Sequence, residues 1–163
     1  MQINKEDILN NKWNCKCVGC SIALGEIIPP GGIIKETKNF ILHQDPEISI
    51  KAFLIIASKK HIKSIAELNY GEAQELFTLV YKARVAMRSI KDIKEVTIIQ
   101  EERSGHFHLW LLPRYECMDD KFENSLSSVR ECMKYAKINY KSEENIKAIL
   151  ETVQIIKGNF IGV

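Results

Sequence analysis

The sequence predicts an α+β fold: an antiparallel sheet with helices packed mainly on one face. Residues 94–102 alternate between apolar and polar side chains, and a Ser-Gly pair separates them from a second strand-like segment at 106–114, which is typical of a hairpin. A continuous apolar run over residues 52–57 indicates a central strand. Apolar residues recur at helical spacing in the middle of the chain and in its last third, which predicts helices in both places.

The N-terminal part is expected to contribute one short helix and a pair of strands. Residues 3–12 are predicted to form the helix. Residues 33–37 and 39–43 are predicted to pair as strands around a short turn. Asp45-Pro46 then breaks the pattern before the apolar run at 52–57.

The longest helix is predicted to begin at Asn69. Asn69 can cap it, and Glu72 occupies the position that completes a capping box. Two further helices are predicted after residue 114, the second of them capped by Ser142 and closed near Gly158. The first of the two carries an apolar stripe of Leu126, Val129, Met133 and Ala136.

Composition limits the class of protein. A chain of 163 residues with 45% hydrophobic residues fits one domain with a real core. A net charge of +2 argues against nucleic-acid or membrane binding driven by bulk charge. The polar N-terminus lacks the apolar core of a signal peptide, and no apolar run is long enough to span a bilayer. We therefore expect a single cytoplasmic domain over residues 1–163.

The most informative segment contains two of the four histidines. Read as a strand, it places His106, His108, Trp110 and Leu112 on one face, with the residues between them on a face that can be buried. Imidazoles held in this way suit nucleophilic attack, acid–base chemistry or metal binding. The alternative is a half-buried strand whose histidines only make hydrogen bonds. The pairing of the two favours a functional role.

A cysteine cluster near the N-terminus indicates a metal site. Cys17 and Cys20 have the two-residue spacing that lets two thiolates reach one ion. His61, just past the buried strand, and His106 can complete a closed tetrahedral structural zinc site, and Cys15 is a further candidate ligand. An odd count of five cysteines argues against a disulfide framework. The alternatives are reduced structural thiols or a redox pair.

Three segments together resemble the histidine triad family of nucleotide hydrolases and transferases. The segment His106-x-His108-x-Trp110-x-x-Pro113-Arg114 resembles the family's His-x-His-x-His motif. Residues 17–22 with 25–27, and residues 53–56 with 59–62, resemble its two upstream signatures. The motifs occur in the family's order over residues 15–114. Residues 115–163 carry no such motif and are expected to form a helical extension.

The resemblance implies a mechanism and partners. His108 occupies the position that attacks an α-phosphate and forms a covalent nucleotidyl-histidine, which water or another acceptor resolves. The implied substrates are dinucleoside polyphosphates or nucleoside phosphoramidates. The family's zinc ligands map onto Cys17, Cys20, His61 and His106, in agreement with the set above. A homodimer is expected through the helix that starts at Asn69 or its neighbouring strand.

The resemblance also implies the residues that bind the nucleotide. The expected phosphate contacts are Gln100, Ser104, the Gly105 amide, Trp110 and Arg114. The expected contacts to ribose and base are Ile41, Leu42, His43 and Asp45. Arg114 is equally well explained as a solvent-facing residue after a strand, and Asp45 as a turn residue before proline. Trp110 is as well explained by packing as by a phosphate contact.

Two departures from the family pattern leave other functions open. Trp110 stands where the third histidine would be and cannot act as an acid or base. Ala52 stands where the family has a further histidine. One alternative is a nucleotide-binding protein of the same fold that does not turn its ligand over. Another is a zinc-stabilised scaffold whose C-terminal helices bind a partner.

Overall fold

The computed structural model describes residues 2–160, which form two antiparallel sheets and four α-helices. The strands are β1 (Ile3–Glu6), β2 (Lys12–Cys15), β3 (Lys35–Glu36), β4 (Phe40–Gln44), β5 (Leu54–Ser58), β6 (Glu95–Gln100) and β7 (His108–Arg114). The helices are α1 (Val18–Ala23), α2 (Tyr70–Met87), α3 (Val129–Asn139) and α4 (Glu143–Asn159).

The main sheet has five strands in the order β3-β4-β5-β7-β6, and all its pairs are antiparallel. β5 is the central strand, as the apolar run predicts. β6 and β7 form the predicted hairpin, paired from Glu95 opposite Arg114 to Gln100 opposite Leu109. His108, the first residue of β7, lies opposite Ala57 of β5. The α+β class predicted from the sequence is therefore confirmed.

The helix predicted for residues 3–12 is wrong, because this segment forms the two-stranded sheet of β1 and β2. The buried side chain of Asp7 accepts the backbone N–H groups of Leu9 and Asn11, at 2.8 and 2.9 Å. Asn10 adopts a left-handed conformation with φ of 65°. A carboxylate that satisfies the backbone of its own turn competes with a helix, and it fixes the hairpin here.

The two longest helices pack on one face of the main sheet. α2 begins at the predicted capping box, in which Asn69 accepts the N–H of Glu72 and the Glu72 side chain accepts the N–H of Asn69. Leu76 and Leu79 of α2 join a buried core with Phe107, Leu111 and other residues of that face. α4 completes the core with Val153 and Ile156, after its predicted cap at Ser142.

The opposite face of the sheet is covered by α1 and α3. Val129, Cys132 and Ala136 of α3 pack with Ile55 and Leu112 of the sheet. The predicted stripe is wrong at Leu126, which precedes α3 and is 70% exposed, while the buried positions include Cys132 instead. The C-terminal extension thus contributes one helix to each face. Within residues 2–160 no helix is both long and apolar enough to cross a membrane.

Candidate functional site

Four predicted metal ligands converge from three separate parts of the chain. Cys17 caps α1, Cys20 lies within it, His61 follows β5, and His106 precedes β7. One donor atom from each residue lies within 4.8 Å of all the others. The Nδ1 atom of His106 is 3.3 Å from the Cys17 Sγ atom, 3.6 Å from the Cys20 Sγ atom and 3.3 Å from His61 Nδ1.

These separations fit a tetrahedral ion. Metal–ligand distances of about 2.0 Å to nitrogen and about 2.3 Å to sulfur imply ligand–ligand edges of roughly 3.3–3.8 Å. The observed edges, which include 3.2 Å from Cys20 Sγ to His61 Nδ1, are close to that range. Cys15 is not among the converging donors. Burial raises the pKa of Cys20 to about 11, with the Cys17 thiol adding to the rise, so a cation would relieve the cost of ionising the pair.

The backbone around His106 selects which of its nitrogens faces the cluster. The ring Nε2 donates to the carbonyl oxygen of Ser58 at 2.8 Å, and this leaves Nδ1 as the free donor atom toward the thiols. Burial lowers the pKa of His106, so the ring is neutral, as a metal ligand must be. The Ser58 carbonyl therefore orients the His106 ring so that Nδ1 can bind a metal ion.

His108 is held in the form that can act as a nucleophile. Its Nδ1 is 2.9 Å from the carbonyl oxygen of His106, and since a carbonyl only accepts, Nδ1 carries the proton. Nε2 therefore keeps its lone pair. Burial lowers the pKa of His108, so the ring is neutral at pH 7. The same residue that offers a metal ligand thus positions the imidazole two residues later.

His108 faces a cavity of about 630 Å³ between the sheet and α3. Six of the residues predicted for catalysis or nucleotide binding line it, namely His43, Asp45, Ser104, Gly105, His108 and Trp110, and so do three of the predicted metal ligands, Cys17, His61 and His106. The hydroxyl of Ser104 contacts the carbonyl oxygen of His106 at 3.0 Å, and Gly105 has φ of 80°. The turn before β7 therefore brings a hydroxyl and a backbone amide to the same wall as the candidate nucleophile.

The predicted ribose-binding region supplies two buried ionisable groups. The His43 Nδ1 atom donates to the carbonyl oxygen of Gln44 at 2.8 Å, and burial lowers its pKa to about 4. Asp45 Oδ1 accepts the N–H groups of Glu47 and Ile48 at 2.8 and 2.9 Å. Burial raises the pKa of Asp45 to about 7. Asp45 is therefore both a turn residue and a cavity-lining group.

Four predicted contact residues lie elsewhere. The buried guanidinium of Arg114 donates to the Asp119 carboxylate at 2.7 Å and to the carbonyl oxygen of Phe122, so it stabilises the chain after β7 and does not face the cavity. Gln100 contacts the carbonyl oxygen of Lys63 at 3.4 Å, outside the cavity. Strand alternation turns Leu42 into the core on the opposite face, and Ile41 is buried in the core cluster that α3 joins and does not line the cavity. These predictions are corrected accordingly.

Sequence reasoning missed a basic wall of the cavity. Arg130, Lys134 and Lys137 of α3 line it, together with Lys5 and Lys16 from the N-terminal segment. The guanidinium of Arg130 lies 5.1 Å from the ring centre of Trp110 and is paired with Glu101. Basic residues four and seven positions after Arg130 share one helix face, and that spacing was the available signal. An anionic ligand such as a polyphosphate is favoured by this wall.

Several solved structures with the same fold are named as histidine triad proteins. A member of this family from Bacillus subtilis matches with a TM-score of 0.55 and 20% identity, over 73% of this chain and 95% of that one. A zinc-bound histidine triad family protein from Mycobacterium smegmatis matches with a TM-score of 0.57 and 17% identity, over 85% and 94%. A Hit-like protein involved in cell-cycle regulation, from Bartonella henselae, matches at 0.55 and 17%, over 84% and 96%. No family model and no curated protein matches the chain.

Proposed function

We propose that this chain, which has the fold of histidine triad proteins, is a nucleotide hydrolase or nucleotidyltransferase that acts at an α-phosphate through a covalent nucleotidyl-His108. The observation that carries the proposal is the hydrogen bond from His108 Nδ1 to the His106 carbonyl oxygen, which aims an unprotonated Nε2 into a cavity with a basic wall. A neutral imidazole with a fixed tautomer is an activated nucleophile.

In the first step the lone pair of His108 Nε2 attacks the α-phosphorus. The N–P bond forms as the bond from phosphorus to the leaving oxygen breaks, and the leaving group takes that electron pair. The proton on Nδ1 stays in place. Its 2.9 Å contact with the His106 carbonyl stabilises the positive charge that the ring acquires.

In the second step a water molecule attacks the same phosphorus. The P–O bond forms, the N–P bond breaks, and its electron pair returns to Nε2. The attacking water releases one proton to solvent, and a nucleoside monophosphate leaves. A hydroxyl acceptor in place of water makes the protein a transferase by the same sequence of bonds.

The cavity walls fit the two ends of such a substrate. Ser104 and Gly105 line the same cavity as His108. The Ser104 hydroxyl donates to the carbonyl oxygens of Glu101 and His106, and the Gly105 N–H donates to the carbonyl oxygen of Glu102 at 3.3 Å, so we propose that phosphoryl oxygens compete for these donors as charge develops. Asp45 and His43 line the part of the cavity formed by the end of β4, where a ribose hydroxyl can be accepted. Lys16 and Lys134 take part in none of the ion pairs found among residues 2–160, so their charge is available to the ligand.

We also propose that the four-residue cluster holds a structural zinc ion, bound by Cys17, Cys20, His61 and His106. The mixed sulfur and nitrogen donors and the tetrahedral separations support zinc. When bound, the ion would supply a crosslink between the N-terminal segment and the sheet, and it takes no part in the chemical steps. Cysteines that stay reduced are typical of the cytoplasm, which supports that location for the protein.

The test is a search for the covalent intermediate. The protein is mixed with the p-nitrophenyl ester of AMP and quenched, and intact-protein mass spectrometry is combined with phenolate release. We expect a burst of phenolate and a mass increase of one adenylyl group, which is AMP less one water, and both should be absent in His108→Gln. Steady turnover by His108→Gln at the wild-type rate would overturn the proposal.

A second function is favoured by Trp110. Its ring fills the position two residues after His108 with a group that does not titrate. A nucleotide-binding protein without turnover would gain thermal stability from AMP while giving no burst. That combination of results would replace the enzyme proposal.

We further propose that the protein forms a homodimer through α2. Tyr70, Phe77 and Tyr81 are 79%, 64% and 67% exposed and lie on this helix. Large aromatic side chains left in water on one element are typical of an interface.

A further inference from the structure

We infer that Arg130, a residue of the C-terminal extension, stabilises the leaving group of the reaction and selects substrates whose leaving group departs as a phosphate. The inference rests on the proposed function of His108. It adds a residue from α3, which lies outside the motif-bearing segment 15–114.

A continuous stack of side chains joins Arg130 to the nucleophile. The ring centres of His108 and Trp110 are 5.5 Å apart. The guanidinium carbon of Arg130 lies 5.1 Å from the centre of the Trp110 ring. The guanidinium is therefore one aromatic ring away from the attacking group.

The in-line geometry of attack by His108 directs the leaving group toward α3. His108 is on the sheet wall of the cavity, and α3 forms the facing wall. In a phosphoryl transfer the attacking and leaving atoms are roughly in line, on opposite sides of phosphorus. The leaving oxygen therefore moves away from the sheet and toward the helix that carries Arg130 and, one turn later, Lys134.

The chemistry of Trp110 makes a cation necessary at this place. An indole offers one N–H donor and cannot transfer a proton at pH 7. A leaving group beside Trp110 therefore receives no proton from that residue, which favours its departure as an anion. A guanidinium stays charged at every physiological pH and binds phosphate oxygens with two parallel N–H groups. Arg130 can thus stabilise the leaving group by its charge, which Trp110 cannot do by donating a proton.

Glu101 positions Arg130 before substrate arrives. The Arg130 side chain is 62% exposed, yet the ion pair with Glu101 and the contact with Trp110 hold it at the cavity mouth. A phosphate chain carries more negative charge than one carboxylate, so it can displace Glu101 as the partner of the guanidinium. Leaving groups that need a proton, such as amines, gain nothing from this arrangement.

The experiment compares three substrates that share an adenylyl donor and differ in the leaving group. Diadenosine tetraphosphate releases ATP through its terminal phosphate, adenosine 5′-phosphoramidate releases ammonia, and the p-nitrophenyl ester releases a phenolate that needs neither a proton nor a phosphate site. The variants are Arg130→Ala and Arg130→Lys. Lys141→Ala is the matched control, because Lys141 is an exposed cation just after α3 and outside the cavity.

We expect wild type to prefer the polyphosphate to the phosphoramidate. Arg130→Ala should lose about 100-fold in kcat on diadenosine tetraphosphate, the scale of removing one charge-stabilising donor. Its loss on the p-nitrophenyl ester should be much smaller, because the phenolate leaving group carries no phosphate. Arg130→Lys should recover part of the loss, and Lys141→Ala should match wild type. Arg130→Ala should also show a steeper dependence of kcat on the basicity of the leaving group, which a purely structural role would not produce.

Two outcomes separate the inference from the function on which it rests. Equal losses of Arg130→Ala on all substrates, or equal turnover of phosphoramidate and polyphosphate by wild type, would overturn the role of Arg130 and leave nucleotidyl-His108 intact. Absence of His108-dependent turnover of the p-nitrophenyl ester would overturn the proposed function, and the inference with it.

Discussion

The backbone of Gly19 lies directly against the imidazole of His106. A β-carbon placed at Gly19 would be 2.5 Å from His106 Cδ2 and 2.6 Å from Nε2, closer than real side chains approach. The ring is therefore held between the α1 backbone on one side and the Ser58 carbonyl on the other. The glycine between the two cysteines thus has a packing reason, because only glycine lets α1 bring both thiols to His106.

Gly19→Ala should weaken metal binding without removing a ligand. The added methyl group pushes the His106 ring away from the thiols, and changes to such supporting contacts typically cost about 10–100-fold in metal affinity. Competition with a chromophoric chelator measures the affinity, and thermal unfolding measures the stability. Gly158→Ala in α4 is the control, because a β-carbon there meets no atom within 4 Å. Equal metal affinity in both variants would show that the close approach has no effect on the site.

Cys17→Ser should lose the metal ion. A serine hydroxyl is a poor zinc ligand, and the loss of one thiolate from a closed site removes folding free energy with the metal. Elemental analysis should give near one zinc per wild-type chain and much less in the variant, and a chelator should lower the Tm of wild type but not of the variant. Cys117→Ser, which removes an exposed thiol outside the cluster, should keep the metal. Full zinc occupancy in Cys17→Ser would contradict the assignment.

Asp45 and His43 should give opposite slopes to the pH dependence of stability. Burial raises the pKa of Asp45 from 3.8 to about 7, so between these values only the folded chain holds the proton, and its stabilising contribution falls as pH rises. Burial lowers the pKa of His43 from 6.5 to about 4, so in that window only the unfolded chain holds the proton, and its contribution rises with pH. The two effects largely cancel in wild type.

Single substitutions should expose each slope. Relative to wild type, Asp45→Asn should gain stability as pH rises from about 4 to 7, by up to about 1.4 kcal/mol per pH unit, while His43→Gln should lose it. Urea unfolding at a series of pH values measures both. Parallel curves for wild type and Asp45→Asn would show that the Asp45 carboxyl titrates normally.

The sequence predicted the sheet and the long helices, because strand alternation and capping are local patterns. It predicted the residues that converge on the metal cluster from the two-residue spacing of Cys17 and Cys20 and from the resemblance to the histidine triad family. The predictions failed where a contact between residues distant in sequence determines the local structure or the direction of a side chain. The helix expected at 3–12 gave way to a hairpin held by Asp7, and Arg114 turned from the cavity toward Asp119. The basic wall from α3 depends on how an extension without a family motif folds back over the sheet. Helical spacing predicts that Arg130 and Lys134 lie on the same face of their helix. It does not predict that this face lines the cavity.

Arg114 should contribute to stability and not to activity. Its guanidinium is buried and donates to Asp119 and to the carbonyl oxygen of Phe122. Arg114→Leu leaves that carbonyl without its partner, at a cost of about 2–3 kcal/mol. Chemical denaturation measures the loss, and active-site titration with the p-nitrophenyl ester normalises turnover to folded protein. If turnover per folded molecule also falls in Arg114→Leu, Arg114 takes part in phosphate binding after all.

Phe77→Glu should convert the proposed homodimer to a monomer. Phe77 is 64% exposed on α2, between Tyr70 and Tyr81 on the same helix, and a carboxylate in the centre of an apolar interface is costly to desolvate. Light scattering coupled to size exclusion should give twice the chain mass for wild type and the chain mass for the variant. Phe77→Leu keeps an apolar side chain and should stay dimeric, while Ile155→Glu places the same charge at a 49% exposed apolar site on α4 and should not change the mass. A monomeric wild type, or a dimeric Phe77→Glu, would exclude α2 as the interface.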